Sequence, residues 1–253
     1  MIFAKPANYL IYNGRPTTEF DTYVSGDGSF SSPERALEVQ EIPGRNGDLI
    51  FDEGRYKNLQ ITYESWILCD TKEEFEAKFK DLINHLSSDF GYHKLEDTYH
   101  PDSYRMAYFN GPLSINEMIE LRAGTFTLTF TARPQRYLKS GEIPKTFESG
   151  STAAIYNPTK FYSSPILRIY GTGEVKINDT ETITIAAAGE GETAFDYIDI
   201  DCTDMECFHG SDSANSRVSF SSYNLLTLKP GDNTITLGSG ITKVTIWGRW
   251  WEL

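Results

Sequence analysis

The sequence has few of the features that secreted and membrane-spanning proteins need. Its 253 residues include three cysteines, Cys69, Cys202 and Cys207, which are too few and too odd in number for a disulfide framework. No apolar run approaches the roughly 18 residues of a membrane span. The apolar start at residues 1–4 is broken by Lys5-Pro6, so we expect no signal peptide. These features predict a protein that is made and folded in a reducing cytoplasm.

Basic residues are also scarce. The chain has 23 Lys and Arg residues against 36 Asp and Glu residues, a formal net charge of −13 at pH 7. Without a basic block, such a chain cannot neutralise a phosphate backbone, and an anionic membrane surface repels it. The sequence therefore argues against direct nucleic-acid recognition and against membrane binding. Its content of 39% apolar and 13% aromatic residues excludes disorder, because it supplies an ample core.

Alternation of apolar and polar residues dominates the chain and predicts a mainly β fold. Residues 125–131 show it most clearly, because Phe126, Leu128 and Phe130 share one face and threonines occupy the other. Similar short segments recur along the chain, separated by Asn-Gly and Pro-Gly turn signals. This spacing is typical of a sandwich or a barrel.

Residues 71–86 have helical periodicity instead. Thr71 and Glu74 form a capping box, in which each side chain satisfies a free backbone donor. The apolar residues of the segment lie on one helical stripe, namely Phe75, Phe79, Leu82, Ile83 and Leu86. The first half of the chain is therefore predicted to be α+β, with this helix lying on a sheet.

The composition changes after Ala132, which predicts two domains. Arg133-Pro134 is expected to stop the preceding strand, and the segment 139–151 is rich in Gly, Ser, Lys and Glu. We therefore expect an N-terminal domain over residues 1–138 and an all-β domain over residues 139–253.

Motifs for catalysis are absent from the sequence. It contains neither the G-x-S-x-G elbow of hydrolases nor the H-E-x-x-H motif of metalloproteases. A glycosidase-like pair of carboxylates stays open, because their separation in space cannot be read from the sequence. We predict that the protein is not an enzyme and holds no cofactor.

Two clusters are weighed as metal sites. Cys202, Cys207 and His209 offer three soft ligands, but their spacing differs from that of zinc sites, so buried thiols are the favoured interpretation. The acidic run from Asp196 to Glu206 includes Asp199 and Asp201 on one strand face, which would suit calcium. A solvated strand edge is the favoured interpretation of this run. We therefore predict no metal.

The C-terminal strand carries three of the four tryptophans of the chain. Trp250 is expected to fill the core together with Val244 and Ile246, while Trp247 and Trp251 cover the other face or an interface. The alternative is that Trp247 and Trp251 stack on sugar rings, which would make this half a carbohydrate-binding β-sandwich.

The order of several short motifs resembles that of one family. The motifs are Ile42-Pro43-Gly44-Arg45-Asn46-Gly47-Asp48-Leu49, Trp66-Ile67-Leu68, the segments 92–95 and 104–108, Arg133-Pro134-Gln135-Arg136-Tyr137, Asn157-Pro158, residues 165–173, Ile198-Asp199-Ile200-Asp201 and residues 228–233. In order, spacing and total length they resemble the distal tail protein (Dit) family of long-tailed phages that infect Gram-positive bacteria, and its prophage members.

The resemblance implies a structural component of the virion at the tail tip, or baseplate. Members of this family form a hexameric ring that joins the tail tube to the tail-associated baseplate protein and to receptor-binding proteins. Expected partners are thus further copies of the chain, the major tail tube protein, the tape-measure protein and these baseplate proteins, with a cell-surface glycan as a further candidate. The implied fold has a ring-forming N-terminal domain and a galectin-like or carbohydrate-module-like C-terminal β-sandwich.

The resemblance also implies an extended hairpin arm that clasps the neighbouring subunit, which we place at residues 41–58. Glycines and charged residues in this segment suit a polar hairpin that is poorly stable alone. We expect Arg45, Gly47, Asp48 and Arg55 at the subunit interface, with both arginines paired to carboxylates of the adjacent subunit.

Overall fold

The computed structural model describes residues 8–25, 31–118, 122–150, 152–190, 194–222 and 226–253. The chain divides into two compact units, Met1–Arg136 with Leu253, and Tyr137–Glu252. The strands, in chain order, are β1 (Leu10–Tyr12), β2 (Arg15–Pro16), β3 (Thr22–Val24), β4 (Arg35–Gln40), β5 (Leu49–Tyr56), β6 (Leu59–Leu68), β7 (His93–Asp97), β8 (Ser103–Phe109), β9 (Asn116–Met118), β10 (Ala123–Leu138), β11 (Lys145–Glu148), β12 (Thr152–Asn157), β13 (Ile166–Gly171), β14 (Gly173–Ile177), β15 (Glu181–Ile185), β16 (Tyr197–Asp201), β17 (Glu206–His209), β18 (Asp212–Ser213), β19 (Val218–Phe220), β20 (Gly231–Leu237), β21 (Ile241–Trp247) and β22 (Trp251–Glu252).

The helices are few. The described residues contain one α-helix, α1 (Lys72–Ser87), and short 3-10 turns at Thr17–Phe20, Lys139–Glu142 and Asn215–Arg217. This architecture confirms the predicted mainly β fold class.

The first unit is built on a sheet with the strand order β2-β1-β7-β8-β10-β6-β3, and β9 also pairs with β10. The longest ladder joins β10 to β6, from Ala123 opposite Leu68 to Ala132 opposite Leu59. Phe126, Leu128 and Phe130 of β10 are buried in the core, as the alternation predicted. Side chains at period two therefore place one face of this sheet against the core.

Helix α1 covers the core face of the first unit. The Oγ1 of Thr71 accepts a hydrogen bond from Glu74 N at 3.1 Å, and a Glu74 carboxylate oxygen accepts one from Asp70 N at 3.1 Å. The helix is thus capped as the sequence indicated, with the Glu74 carboxylate bonded one residue further back. Its apolar stripe packs on the sheet, where Phe79 meets Phe126 edge to face at 5.5 Å between ring centroids.

The expectation that Arg133-Pro134 stops the threonine strand is wrong. Strand β10 continues to Leu138. Its pairing with β6 ends at Ala132, so Pro134 lies beyond that ladder and its missing N–H removes none of those hydrogen bonds.

The second unit is a sandwich of two sheets around one core. One sheet has the order β11-β21-β13-β16-β17-β18, and the other has the order β12-β20-β14-β15-β19. Ile169 and Val244 of the first sheet and Ile177 and Ile235 of the second belong to one buried cluster, which also holds Trp250. Inward residues of both sheets therefore interdigitate, as in aligned β-sandwiches.

A third sheet consists of β4 and β5 alone. The two strands pair antiparallel, with Glu38 opposite Phe51 and Gln40 opposite Leu49, and residues 41–48 form the turn between them. The hairpin therefore begins before residue 41, the expected start of the arm, because the first of its two strands is Arg35–Gln40. We call the segment Arg35–Tyr56 the arm.

Candidate assembly surface

Both faces of the arm expose apolar side chains. Val39 lies directly opposite Ile50 on one face, and Phe51 lies on the other. Their exposed fractions are 54%, 60% and 48% respectively. The hairpin thus exposes apolar as well as charged side chains, because a two-stranded sheet without a second layer has nothing of its own to bury them against. Exposed apolar residues gathered on one small element mark an interaction surface.

Charged contacts hold the base of the arm in shape. Arg35 donates from Nε to the Oδ1 of Asp52 at 3.0 Å and from Nη2 to its Oδ2, a bidentate pair across the two strands. Hydrogen bonding from Arg35, with a further bond from Gly54 N, lowers the pKa of Asp52. Lys57 Nζ lies 2.9 Å from a Glu34 carboxylate oxygen. The charged side chains at the base of the arm are thus paired with one another.

Of the residues predicted for the subunit interface, Arg45, Gly47 and Asp48 all lie in the turn at the arm tip, and all are exposed. Gly47 has φ +87°, a left-handed conformation that favours glycine. Within the described part of the chain, the side chains of Arg45 and Asp48 make no ion pair. Arg55 lies on β5, where its Nη2 is 2.8 Å from a Glu53 carboxylate oxygen. Arg55 therefore already has an acidic partner within its own strand.

The two candidate sugar-stacking residues of the second unit have separate surroundings. The Trp251 ring stacks on Phe161, with centroids 4.3 Å apart, and its Nε1 donates to the Tyr162 carbonyl at 2.9 Å. The Trp247 ring faces the Arg168 guanidinium at 5.7 Å. The structure thus brings neither tryptophan against the other, and one face of the Trp251 ring is already covered.

Arg168 organises the outer face of the six-stranded sheet. It donates from Nε and Nη2 to the two carboxylate oxygens of Asp199 at 2.7 and 2.8 Å. The guanidinium also lies 4.2 Å from the centre of the Tyr197 ring. The hydrogen bonds to Asp199 raise the pKa of Arg168. Sequence reasoning missed this residue, although its alternation with buried Leu167 and Ile169 placed it on the outer face.

The interpretation of the acidic run as a solvated strand edge is wrong for two of its members. Strand β16 lies between β13 and β17, so it is an interior strand. Asp199 is 6% exposed and paired with Arg168, and Asp201 lies 2.7 Å from Arg249 Nη1. Burial raises the pKa of Asp201, but hydrogen bonds from Arg249 and Thr203 outweigh it, and the net shift is downward. These carboxylates serve the packing of the sandwich.

The cysteines are buried thiols. Burial raises the pKa of Cys202, and it raises that of Cys207 to about 11, so both stay protonated and unreactive near neutral pH. Within the described ranges, no three His, Cys, Asp or Glu side chains are grouped as a metal site. The α-helix described above is too short and too polar to cross a bilayer, and no other described helix meets that requirement.

Comparisons with known proteins agree with the sequence motifs. Residues 17–132 match the family described as the phage tail protein RIFT-related domain. This range includes the arm, α1 and the sheet strands of the first unit from β3 to Ala132 of β10, but not β1 and β2. No curated protein sequence gives a significant match to the chain.

Solved structures extend the likeness to nearly the whole chain. The Dit protein of phage SPP1, described as a paradigm of the hub adsorption apparatus in phages infecting Gram-positive bacteria, matches with a TM-score of 0.64 and 13% identity over 95% of this chain and 98% of that one. A chain of the phage P2 baseplate in its Ca-activated conformation gives 0.56 and 13% identity over 94% and 96%. A chain of the phage p2 baseplate with Sr gives 0.53 and 13% identity over 95% and 98%. The likenesses establish the fold of both units.

Proposed function

We propose that this chain, a Dit-like structural protein of the phage tail tip or baseplate, closes into a homohexameric ring through its arm. The observation that carries the proposal is the exposure of Val39, Ile50 and Phe51 on an element with a sheet of its own. Burying apolar surface stabilises by roughly 25 cal/mol per Å². An arm that leaves such side chains in water gains this stabilisation only against a partner.

A second copy of the same chain is the partner that fits the arm. A contact from the arm of one subunit to the body of the next is heterologous, and heterologous contacts close into a ring when the rotation permits. Gly47 gives the tip its tight turn, while Arg45 and Asp48 leave charged groups there for a neighbour to pair. Arg55 contributes through its pairing with Glu53 on the arm itself.

The ring is proposed to join the tail tube to the baseplate. On this proposal its further partners are the major tail tube protein, the tape-measure protein, the tail-associated baseplate protein and receptor-binding proteins. The N-terminal domain, residues 1–138, builds the ring, and the C-terminal sandwich, residues 139–253, serves attachment. A structural role of this kind requires neither catalysis nor a cofactor.

The alternative of a carbohydrate-binding sandwich has weaker support. Sugar recognition by stacking needs an open ring face, and the contacts of Trp251 with Phe161 and of Trp247 with Arg168 each occupy one face of those rings. Glycan-array binding that is lost on Trp251→Ala, from a protein that stays monomeric, would favour this alternative.

The mass in solution tests the proposed ring. Light scattering behind a sizing column, over a range of concentrations, should show a species of about 172 kDa, six copies of the 28.6 kDa chain. Negative stain should show closed rings. A monomer at every concentration, with and without the neighbouring tail proteins, would contradict the proposal.

A further inference from the structure

The turn at the arm tip contains an Asn-Gly pair, Asn46-Gly47, whose polar groups are open to water. Both residues are exposed, and within the described ranges neither of them makes a hydrogen bond. A backbone hydrogen bond of this turn joins Arg45 N to the Ile42 carbonyl at 3.2 Å, and it ends one residue before the pair. The carboxamide of Asn46 and the backbone N–H of Gly47 are thus neighbours in the chain that no other group holds.

These two groups are placed to react with each other. Attack of the Gly47 nitrogen on Cγ of Asn46 closes a five-membered ring, because only the carbonyl carbon, Cα and Cβ of Asn46 lie between the two atoms. Groups joined in this way react as an intramolecular pair, with a high effective concentration. Glycine hinders the attack least, since it has no Cβ beside the attacking nitrogen.

Water is the co-reactant that completes the reaction. The Gly47 nitrogen gives its proton to solvent base and bonds to Cγ of Asn46, the bond from Cγ to the side-chain nitrogen breaks, and that nitrogen leaves as ammonia. Water then opens the cyclic imide at either of its two carbonyl carbons, which yields aspartate or isoaspartate. Nothing is oxidised or reduced. The outcome is a carboxylate in place of a neutral amide.

The same dipeptide occurs twice more in the chain, and one of these copies is firmly held. Asn13-Gly14 is the two-residue loop between β1 and β2, flanked by the pair Tyr12 and Arg15. Asn13 N also donates to the Lys94 carbonyl of β7 at 3.0 Å. The backbone of this loop is therefore fixed by two neighbouring strands, and the attack requires it to open locally first.

The third copy, Asn110-Gly111, has intermediate freedom. Asn110 is exposed, but Gly111 is half-buried. Pro112 follows, and a proline restricts the backbone of the residue before it. Three identical dipeptides thus lie in three different environments, and the least restrained of them is the one at the arm tip.

We propose that Asn46 is a self-modifying residue, which the Gly47 backbone nitrogen converts to aspartate and isoaspartate before either of the other Asn-Gly pairs reacts. The product is a second carboxylate at the arm tip, two residues from Asp48. It lies on the element that we propose contacts the neighbouring subunit. The modification therefore changes the charge of that element in a reaction that needs only water.

Peptide mapping by mass spectrometry tests the proposal. The protein is kept as a folded monomer by dilution at mildly alkaline pH, and samples taken over time are digested in acid, where ring closure is slow. The tip peptide should gain the mass difference between an amide and a carboxylic acid, with both aspartate and isoaspartate present. The gain should be about five- to tenfold faster at Asn46 than at Asn13, which corresponds to the cost of opening one hydrogen bond.

Two variants and one change of solvent serve as matched controls. Asn46→Gln should abolish the gain at the tip and leave Asn13 unchanged, because the longer side chain must close a larger ring. Gly47→Ala should slow the gain several-fold, because its Cβ crowds the attacking nitrogen. In concentrated urea the rates at Asn46 and Asn13 should converge, because unfolding removes the restraint on Asn13-Gly14.

Four outcomes would overturn the proposal. The first is an Asn46 that stays intact while Asn13 or Asn110 reacts. The second is aspartate without isoaspartate, which indicates direct hydrolysis of the side chain, and the third is a Gly47→Ala variant that reacts as fast as the parent. The fourth is an equal ratio of the Asn46 and Asn13 rates in urea and in the folded monomer. Because the monomer is used throughout, the result does not depend on the proposed ring.

Discussion

The arm and the six-stranded sheet of the second unit are built from the same kind of strand, yet they treat their apolar residues in opposite ways. In the sandwich, Leu167 and Ile169 of β13 are fully buried beneath the facing sheet. In the arm, Ile50 and Phe51 of β5 are about half exposed on opposite faces. The sandwich thus completes its own core, while the arm lacks a covering layer.

The same contrast holds for charges. On the outer face of the sandwich, the buried Asp199 carboxylate depends on its bidentate partner Arg168. The arm pairs Arg35 with Asp52 in open solvent, where such a pair contributes little to stability. The difference teaches that the sandwich covers its own apolar residues and buries its paired carboxylate, whereas the arm leaves both kinds of group exposed, as the proposed contact with a neighbouring subunit requires.

The largest expected effect is a difference in unfolding free energy between a core residue of the sandwich and an exposed residue of the arm. Ile169→Ala should lower the free energy of unfolding by about 2–5 kcal/mol, because it opens a cavity in a packed core. Ile50→Ala, the same change on the arm, should leave the unfolding of the monomer within about 0.5 kcal/mol of the parent. Urea titration of both monomers checks this. An equal loss from the two variants would abolish the distinction between the regions.

A smaller effect separates the two ion pairs. Arg168→Leu leaves the Asp199 carboxylate buried without its bidentate partner, which should cost about 2 kcal/mol of unfolding free energy. Arg168→Leu/Asp199→Leu should recover part of that loss, because no charge remains uncompensated. Arg35→Leu on the arm is the matched control, and its urea midpoint should not move. If Arg35→Leu lowered the urea midpoint as much as Arg168→Leu, the ion pair of the arm would stabilise the fold as much as that of the sandwich, which would contradict the contrast.

The smallest expected effect is on the loss of stability at acid pH. The pKa of Asp201 is lower in the folded protein than the ordinary value of an aspartate, because hydrogen bonds from Arg249 and Thr203 outweigh the opposite effect of burial. A lowered pKa stabilises the fold above the unfolded value, and the stabilisation disappears as the pH falls through the folded value. Asp201→Asn should therefore flatten the loss of stability on acidification below about pH 4. Thermal unfolding of parent and variant between pH 5 and pH 2 measures this loss of stability. If the unfolding midpoint of the variant falls with pH as steeply as that of the parent, Asp201 does not contribute.

Local patterns in the sequence predicted those parts of the fold that depend on neighbouring residues. Phe126, Leu128 and Phe130 alternate with threonines, so their shared buried face followed from strand geometry alone. The helix followed equally from the cap at Thr71 and the stripe that begins at Phe75. The order of the motifs then led to the family resemblance, and the solved structures that match the chain share its fold.

The parts that sequence missed depend on which strands meet. Arg168 and Asp199 are opposite each other only because β13 and β16 are neighbours in the sheet. Nothing within either strand indicates that adjacency, so Asp199 looked like a solvent-facing residue. The predicted start of the arm was too late because the prediction rested on the glycines and charges of its tip, whereas Leu37 and Val39 before them alternate as in an ordinary strand.

Hydrogen exchange of the arm amides tests the central claim most directly. The exchange rates of Leu49–Tyr56 are compared between the assembled protein and a monomer obtained by dilution. If the arm is completed by a neighbouring subunit, assembly should slow exchange in this strand by tenfold or more, while the buried strands of the sandwich change little. Equal exchange of β5 in the two states, with a ring present, would contradict the account.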